Sequence, residues 1–248
     1  NKKLTIKPLP GYEYKAKVDI TSKDVMSRIV NIRDLKSISL EKDISWLDNK
    51  NYSIINEQDD FDYLVRELKK FPGPIAFDTE TTGLSINRFP HGHPRRDRLC
   101  GICISYEKDT GFYLPVYQQL FDNLDEERTM AELKPVLERK HIVTHYGIFD
   151  WKVMWYYGID LNIIDDTYML QYMVDSKSSK KTKKLKEMTK MRYDVDQLEL
   201  EDFFPKKGRR KQQIDFSMLP YSAVHAYGPA DADFTLMHYN DLRPNLPA

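Results

Sequence analysis

The chain has 248 residues, of which 41% are hydrophobic and 12% aromatic, so it has enough apolar side chains for a sizeable core and does not read as disordered. Its formal net charge is zero, and it lacks a run of 18 apolar residues, which predicts no membrane-spanning helix and no membrane partner. Its two cysteines, Cys100 and Cys103, do not suit a disulfide-rich secreted scaffold. Because the first residues carry neither an initiator Met nor an apolar signal region, we expect an intracellular protein without a signal peptide, trimmed from a longer chain.

The first part of the chain is predicted to be an arm that precedes one domain. Residues 1–50 contain scattered lysines and few large apolar runs, which predicts an N-terminal arm or linker before a domain at residues 51–248. Residues 52–55 predict a short edge strand. A helix is predicted at residues 59–71, because its apolar residues recur at the helical period, with acids at its start and lysines at its end.

The stretch at residues 74–84 is the most informative part of the chain. Its apolar first half predicts a buried strand, in which Asp78 and Glu80 point to one face and Phe77 and Thr79 to the other. Two carboxylates held side by side repel each other unless a cation neutralises them, and hard oxygen ligands suit Mg²⁺ or Mn²⁺. The alternative is a strand end whose acids face water.

The elements that follow predict an α/β domain with a mixed sheet. Strands at residues 99–107 and 111–116 are joined by a tight turn, which predicts an antiparallel meander with the preceding strand. The later elements, in chain order, are helix 126–140, strand 141–145, helix 149–157, helix 166–174, a basic helix at 180–191 and a mostly helical stretch at 218–240.

Two later stretches supply further acids. Asp150 lies at the start of a helix that follows a strand, a place where ligand sites of α/β sheets are common, although an acid there also complements the helix dipole. Tyr227 and Asp231 are four residues apart, so they share one face of a continuous helix. Asp233 points elsewhere and is expected to be a solvated acid.

Gly228 and Pro229 interrupt this last pattern. Proline is tolerated in the first turn of a helix but breaks its interior. We therefore predict that one helix ends at Gly228 and that another begins at Pro229, which would alter the geometry of Tyr227 relative to Asp231.

Charge is unevenly distributed along the chain. Residues 176–211 contain 13 Lys and Arg against 6 Asp and Glu. A basic segment beside an acidic site is what a nuclease needs, because the bases attract phosphate and the acids hold metal. The simpler alternative is a solvated, Lys-rich surface.

The two cysteines are also candidate zinc ligands, with His91 and His93 upstream. Residues i and i+3 of a strand face opposite ways, so Cys100 and Cys103 would not converge on one ion. We expect both cysteines to be small core residues.

The pattern Asp78-x-Glu80, Asp150 and Tyr227-x-x-x-Asp231 resembles the tyrosine branch of the DEDD-type 3′→5′ exonucleases. The run at residues 230–236, ADADFTL, resembles most closely the proofreading domain of family A DNA polymerases, as do Phe203 and the basic loop that follows it. The likeness extends over residues 52–242. It implies a ribonuclease-H-like exonuclease fold, with a five-stranded mixed sheet flanked by helices.

The resemblance also implies the chemistry. Asp78, Glu80 and Asp231 would hold one divalent metal ion, and Asp78 would bridge to a second that Asp150 supports through water; both ions would be Mg²⁺ or Mn²⁺. Tyr227 would orient the attacking water, since a phenol is a poor general base at neutral pH. The implied reaction removes nucleoside monophosphates from single-stranded or frayed DNA 3′ ends, beside a polymerase domain in cis or in trans. A ribonuclease D-like RNA exonuclease and a non-catalytic nucleic-acid-binding module are the alternatives.

Substrate contacts are implied as well. Tyr146 stands where the family usually has Asn, so its contact to the terminal nucleotide is expected to differ. The candidate substrate-binding residues are Thr81, Leu84, Tyr146, Phe203, Lys206, Lys207, Arg209 and Arg210.

Overall fold

The computed structural model describes residues 38–39, 41–83, 97–177, 181–203 and 215–246. Most of the predicted N-terminal arm therefore lies outside the described residues. So do several candidate site residues, namely Leu84, His91, His93, Lys206, Lys207, Arg209 and Arg210.

A mixed sheet of six strands forms the centre of the described fold. The strands are β1 (Asn51–Ile54), β2 (Ile75–Thr81), β3 (Leu99–Ser105), β4 (Thr110–Pro115), β5 (Ile142–Thr144) and β6 (Ile163–Asp166). Their order is β1-β4-β3-β2-β5-β6, and β2, β3 and β4 form the predicted antiparallel meander. The remaining neighbours pair in parallel. The expected count of five strands was wrong, because the short strand β1 joins the sheet edge beside β4.

Helices cover both faces of this sheet. They are α1 (Gln58–Lys70), α2 (Glu126–Leu137), α3 (Ile148–Trp155), α4 (Thr167–Val174), α5 (Leu185–Tyr193) and α6 (Tyr221–Leu242). Within the described ranges, none of the helices is both long enough and apolar enough to cross a lipid bilayer.

The core lies in two layers, one on each face of the sheet. On the first face, α1, α2 and α3 pack their apolar sides against β2 and β3, and Phe61 and Phe77 are completely buried there. On the second face, small residues such as Ala223 and Ala226 let α6 lie against the sheet. The period-two alternation of β2 explains this arrangement, because it sends successive side chains to opposite layers.

A β-bulge changes the face of Cys100. The pairing of β2 with β3 shifts between Glu80 and Thr81, so that Cys100 is an extra residue between two paired positions. Cys100 and Cys103 therefore both lie in the core layer on the α6 face, and the prediction that they point to opposite faces was wrong. The prediction that they are core residues is confirmed, since both are free thiols and fully buried.

Helix α6 continues through Gly228 and Pro229, so the predicted helix boundary was wrong. The sheet explains why the helix does not break there. A Cβ added to Gly228 would lie 2.9 Å from Cδ2 of Tyr113, and a Cβ added to Gly111 would lie 2.7 Å from Cβ of Pro229. Close packing against β4 thus keeps this part of α6 in place, although Pro229 provides no backbone N–H for the usual bond.

The described end of the predicted arm packs against the domain. The indole of Trp46 meets the ring of Phe234 edge-on, with centroids 5.7 Å apart. Lys50 Nζ and the Tyr52 hydroxyl both donate to Oδ2 of Asp233, at 2.7 and 2.9 Å. Asp233 is fully buried rather than solvated, which corrects the expectation for this acid.

Gly228→Ala tests the role of this close contact. Alanine is the better helix former by about 1 kcal/mol, yet we expect the variant to lose about 1–3 kcal/mol of unfolding free energy because its methyl group overlaps the Tyr113 ring. Urea unfolding measures the effect. Ser222→Ala, at an exposed position of the same helix, is the control and should be neutral or slightly stabilising. A stabilised Gly228→Ala variant would contradict the close packing.

Candidate active site

Strand β2 presents two acids on the face that α6 covers. The carboxylate oxygens of Asp78 and Glu80 and the Sγ of Cys103 lie within 4.8 Å of one another. Both carboxylates are partly exposed, whereas Ile75 and Phe77 on the opposite face are completely buried. The predicted alternation along this strand is confirmed.

Asp150 reaches the same strand end from the opposite layer. It lies in the first turn of α3 and is 3% exposed. Thr79 Oγ1 donates a hydrogen bond of 2.6 Å to its Oδ1. Burial raises the pKa of Asp150 to about 7, although the hydrogen bonds from Thr79 act in the other direction.

Tyr227 and Asp231 come from α6, and its continuity keeps them on one helical face. The Tyr227 ring packs against Phe203 and Phe216, at centroid distances of 6.1 and 5.5 Å. Burial, followed by the charges of the nearby acids, raises the pKa of Tyr227 well above its usual value. The phenol therefore stays protonated and is a hydrogen-bonding group rather than a base.

The pKa shifts of Asp78 and Glu80 indicate that the four acids lie close to one another. Burial first, and then the charges of Asp150, Glu80 and Asp231, raise the pKa of Asp78 well above its usual range. Burial and the charge of Asp231 do the same for Glu80. Each acid is thus within the field of the others, and the set consists of hard oxygen donors. These residues fit a divalent cation, which would relieve their repulsion.

Cys103 places a thiol beside the two carboxylates of this cluster. Burial, and then the charges of Asp78 and Glu80, raise the pKa of its thiol well above the usual value. Divalent ions such as Mg²⁺ and Mn²⁺ prefer hard oxygen ligands to a soft sulfur. The cluster is therefore described by its oxygen donors.

Lys186 is a site residue that the sequence pattern did not single out. Its Nζ lies 4.1 Å from the centroid of the Tyr227 ring and donates to the Leu198 carbonyl at 2.7 Å. Burial alone would lower its pKa, but the charges of Asp231, Glu199 and Glu80 outweigh this effect and raise it. Its charge in turn lowers the pKa of the acids around it. The basic run was visible in the sequence, but nothing local indicated which lysine meets the acids.

Tyr146 is held in an unusual backbone conformation at the start of α3. Its φ of 61° lies in the left-handed region, which costs an L-residue about 1–2 kcal/mol. The Asp166 carboxylate compensates, because it accepts from the backbone N–H of Tyr146 at 3.1 Å and of Gly147 at 2.9 Å, while also capping α4 through Tyr168 N–H. The Tyr146 side chain is 59% exposed.

The other described candidates for substrate contact are less open. Phe203 is completely buried in the α6 layer, and its ring contacts Tyr227 edge-on. The Thr81 hydroxyl donates to the Gly83 carbonyl at 2.9 Å and is half-buried. Contacts of these two residues with substrate stay predictions, as do those of the basic loop residues outside the described ranges.

Comparison with known proteins identifies the family to which the chain belongs. Over residues 52–247 the chain matches a family model of the DNA polymerase A exonuclease type, described as 3′-5′ exonuclease. The chain belongs to this 3′-5′ exonuclease family. The match covers the whole carboxylate cluster and confirms the resemblance to the DEDD-type exonucleases.

Solved structures of similar fold agree with the family. Escherichia coli RNase D, described as an exoribonuclease involved in structured RNA processing, is 18% identical, with 79% of this chain and 45% of that chain covered and a TM-score of 0.53. The catalytic core of RRP6 from Trypanosoma brucei is 17% identical over 90% and 55% of the two chains, with a TM-score of 0.52. The EXO domain of Aedes aegypti Nibbler is 13% identical over 77% and 87%, with a TM-score of 0.53. These likenesses confirm the predicted α/β exonuclease fold.

Asp150→Asn isolates the electrostatic cost of one acid in metal-free protein. The folded pKa of Asp150, about 7, exceeds its unfolded value, so the wild type loses stability as pH rises towards 7. The asparagine has no such loss. We expect the unfolding free energy of the variant minus that of the wild type to rise by about 1.4 kcal/mol per pH unit between about pH 5 and pH 7, and then to level.

The comparison uses urea unfolding in the presence of a chelator. Burial lowers the pKa of His145 to about 4 and that of His238 to about 3, so both stabilise the fold as pH rises. Because these histidines are present in both proteins, their effect cancels in the difference. Parallel pH profiles for the two proteins would contradict the raised pKa that burial gives Asp150.

Proposed function

We propose that the protein is a metal-dependent exonuclease that removes nucleoside monophosphates from DNA 3′ ends with two divalent metal ions, Mg²⁺ or Mn²⁺. The observation that supports this most is the convergence of four carboxylates and one protonated tyrosine from three separate parts of the chain. A single strand end with two acids would carry much less weight.

The roles of the side chains follow from their positions. Asp78, Glu80 and Asp231 would hold one ion, and Asp78 and Asp150 would support the second. When bound, a pair of ions activates water and stabilises the leaving 3′ oxygen, so the protein needs no covalent nucleophile. The Tyr227 phenol would hold the attacking water in line by hydrogen bonding, because its raised pKa keeps it neutral. Thr79 keeps the Asp150 carboxylate at the strand end.

DNA is the first candidate substrate, because the family match and the motif spacing both point to the polymerase-type exonuclease. On the resemblance of the motif run ADADFTL to proofreading domains, we further propose a polymerase domain, in this chain or a partner, as the source of the 3′ ends. An RNA exonuclease is the second candidate. Tyr146 is the observation that favours this candidate, because an exposed aromatic residue stands where proofreading domains are expected to have Asn.

The double variant Asp78→Ala with Glu80→Ala tests the proposal. We expect it to lose all Mg²⁺-dependent release of 3′ mononucleotides, because it removes two ligands of the ions, while its circular dichroism spectrum stays that of the wild type. Single-stranded DNA, mismatched duplex DNA and RNA, each labelled at the 5′ end, are the parallel substrates. The fastest of the three identifies the substrate class.

The matched control is Asp59→Ala with Asp60→Ala. It also removes two carboxylates that are close to each other, but they lie in the exposed first turn of α1, outside the candidate site. This control should retain wild-type rates. Undiminished degradation by the Asp78 and Glu80 double variant would refute the proposed metal site, whereas degradation of RNA alone would refute the DNA assignment.

A further inference from the structure

Gln197 contacts the candidate site, although neither the motif nor the proposed function uses it. It lies between α5 and the short 3₁₀ helix Leu200–Phe203, and it is only 2% exposed. Its Nε2 donates a hydrogen bond of 2.9 Å to Oδ1 of Asp231. An ionised carboxylate can only accept, so the amide nitrogen and not its oxygen must face Asp231.

Two lysines hold the backbone around Gln197. Lys42 Nζ donates to the Gln197 carbonyl at 2.7 Å and to Oδ2 of Asp202 at 2.9 Å. From the other side, Lys186 Nζ donates to the Leu198 carbonyl, also at 2.7 Å. Both carbonyls of this stretch are therefore fixed by charge-assisted bonds, which are stronger than neutral ones. A side chain on such a backbone has little freedom to change its contact.

We propose that Gln197 is a positioning residue that orients the Asp231 carboxylate for metal binding. By occupying Oδ1 it directs the other oxygen of Asp231 towards the ion. Partners of this kind, which contact a ligand rather than the metal, commonly change metal affinity by about 10–100-fold. The inference rests on the proposed metal site.

An amide suits this role better than a cation does. Lys186 also stabilises the ionised form of Asp231, but its positive charge repels a metal ion bound to the same carboxylate. The neutral amide of Gln197 fixes the orientation without that repulsion. Lys42, from the predicted N-terminal arm, contributes indirectly by holding the Gln197 backbone.

The chain offers a matched control in Gln118. Both glutamines are buried, each donates one hydrogen bond through Nε2, and each Oε1 lacks a hydrogen-bond partner among the described residues. Gln118, however, donates to the Tyr113 hydroxyl at 2.6 Å and not to an acid of the site. Replacing either glutamine by leucine therefore removes one buried side-chain hydrogen bond, and only Gln197 contacts Asp231.

The experiment measures Mn²⁺ binding to the full chain by isothermal titration calorimetry after removal of bound metal. We expect Gln197→Leu to weaken Mn²⁺ binding about 10–100-fold, whereas Gln118→Leu should bind as the wild type does. Both metal-free variants should unfold at a lower temperature than the wild type, so a loss of affinity confined to Gln197→Leu separates positioning from general stability. Lys42→Met, which removes the bond to the Gln197 carbonyl and the ion pairs with Asp202 and Asp196, should weaken binding by a smaller factor.

Two results would refute the role of Gln197 without refuting the proposed metal site. One is wild-type Mn²⁺ affinity in Gln197→Leu, and the other is an equal loss of affinity in Gln118→Leu. If Gln197→Leu does not fold, Lys42→Met decides, since wild-type affinity in that variant would also count against the inference. Failure of the wild type itself to bind Mn²⁺ would instead refute the proposed metal site, on which the inference depends.

Discussion

Repulsion among four carboxylates is the constraint on which this site depends. Asp78 and Glu80 extend from one strand, while Asp150 and Asp231 arrive from helices on opposite faces of the sheet. The acids meet where β2 extends beyond its parallel neighbour β5, since the pairing with β5 ends at Ala76. Burial raises the pKa of all four, and the neighbouring acids raise those of Asp78 and Glu80 further, so the metal-free fold carries an electrostatic cost that a divalent cation would relieve.

Close packing of α6 on the sheet sets the geometry of half the site. The Tyr113 ring lies against Gly228, and Pro229 lies against Gly111, so the helix passes this point without a break. Tyr227 therefore stays one turn from Asp231. The same helix is tied to β1 and to the turn before β4 by the buried Asp233, which adds polar anchors to the apolar contact.

The parts of the fold where local pattern and tertiary packing agree were predictable from the sequence. Helix α1 and strand β2 are examples, since their apolar periods match the layers that they face. The continuity of α6 was not predictable, because the residue that packs against Gly228 lies more than a hundred positions away. In the same way, the motif spacing identified the acids but not Gln197 or Lys186. Their partners come from distant segments, and no local pattern marks such contacts.

The four acids are proposed to form a metal centre. Anomalous X-ray scattering from crystals grown with Mn²⁺ would locate its ions. We expect two peaks roughly 3.5–4 Å apart, with Asp78 near both, Glu80 and Asp231 near one, and Asp150 beside the other. Crystals with no peak beside Asp78, or with one ion ligated by the sulfur of Cys103, would contradict it.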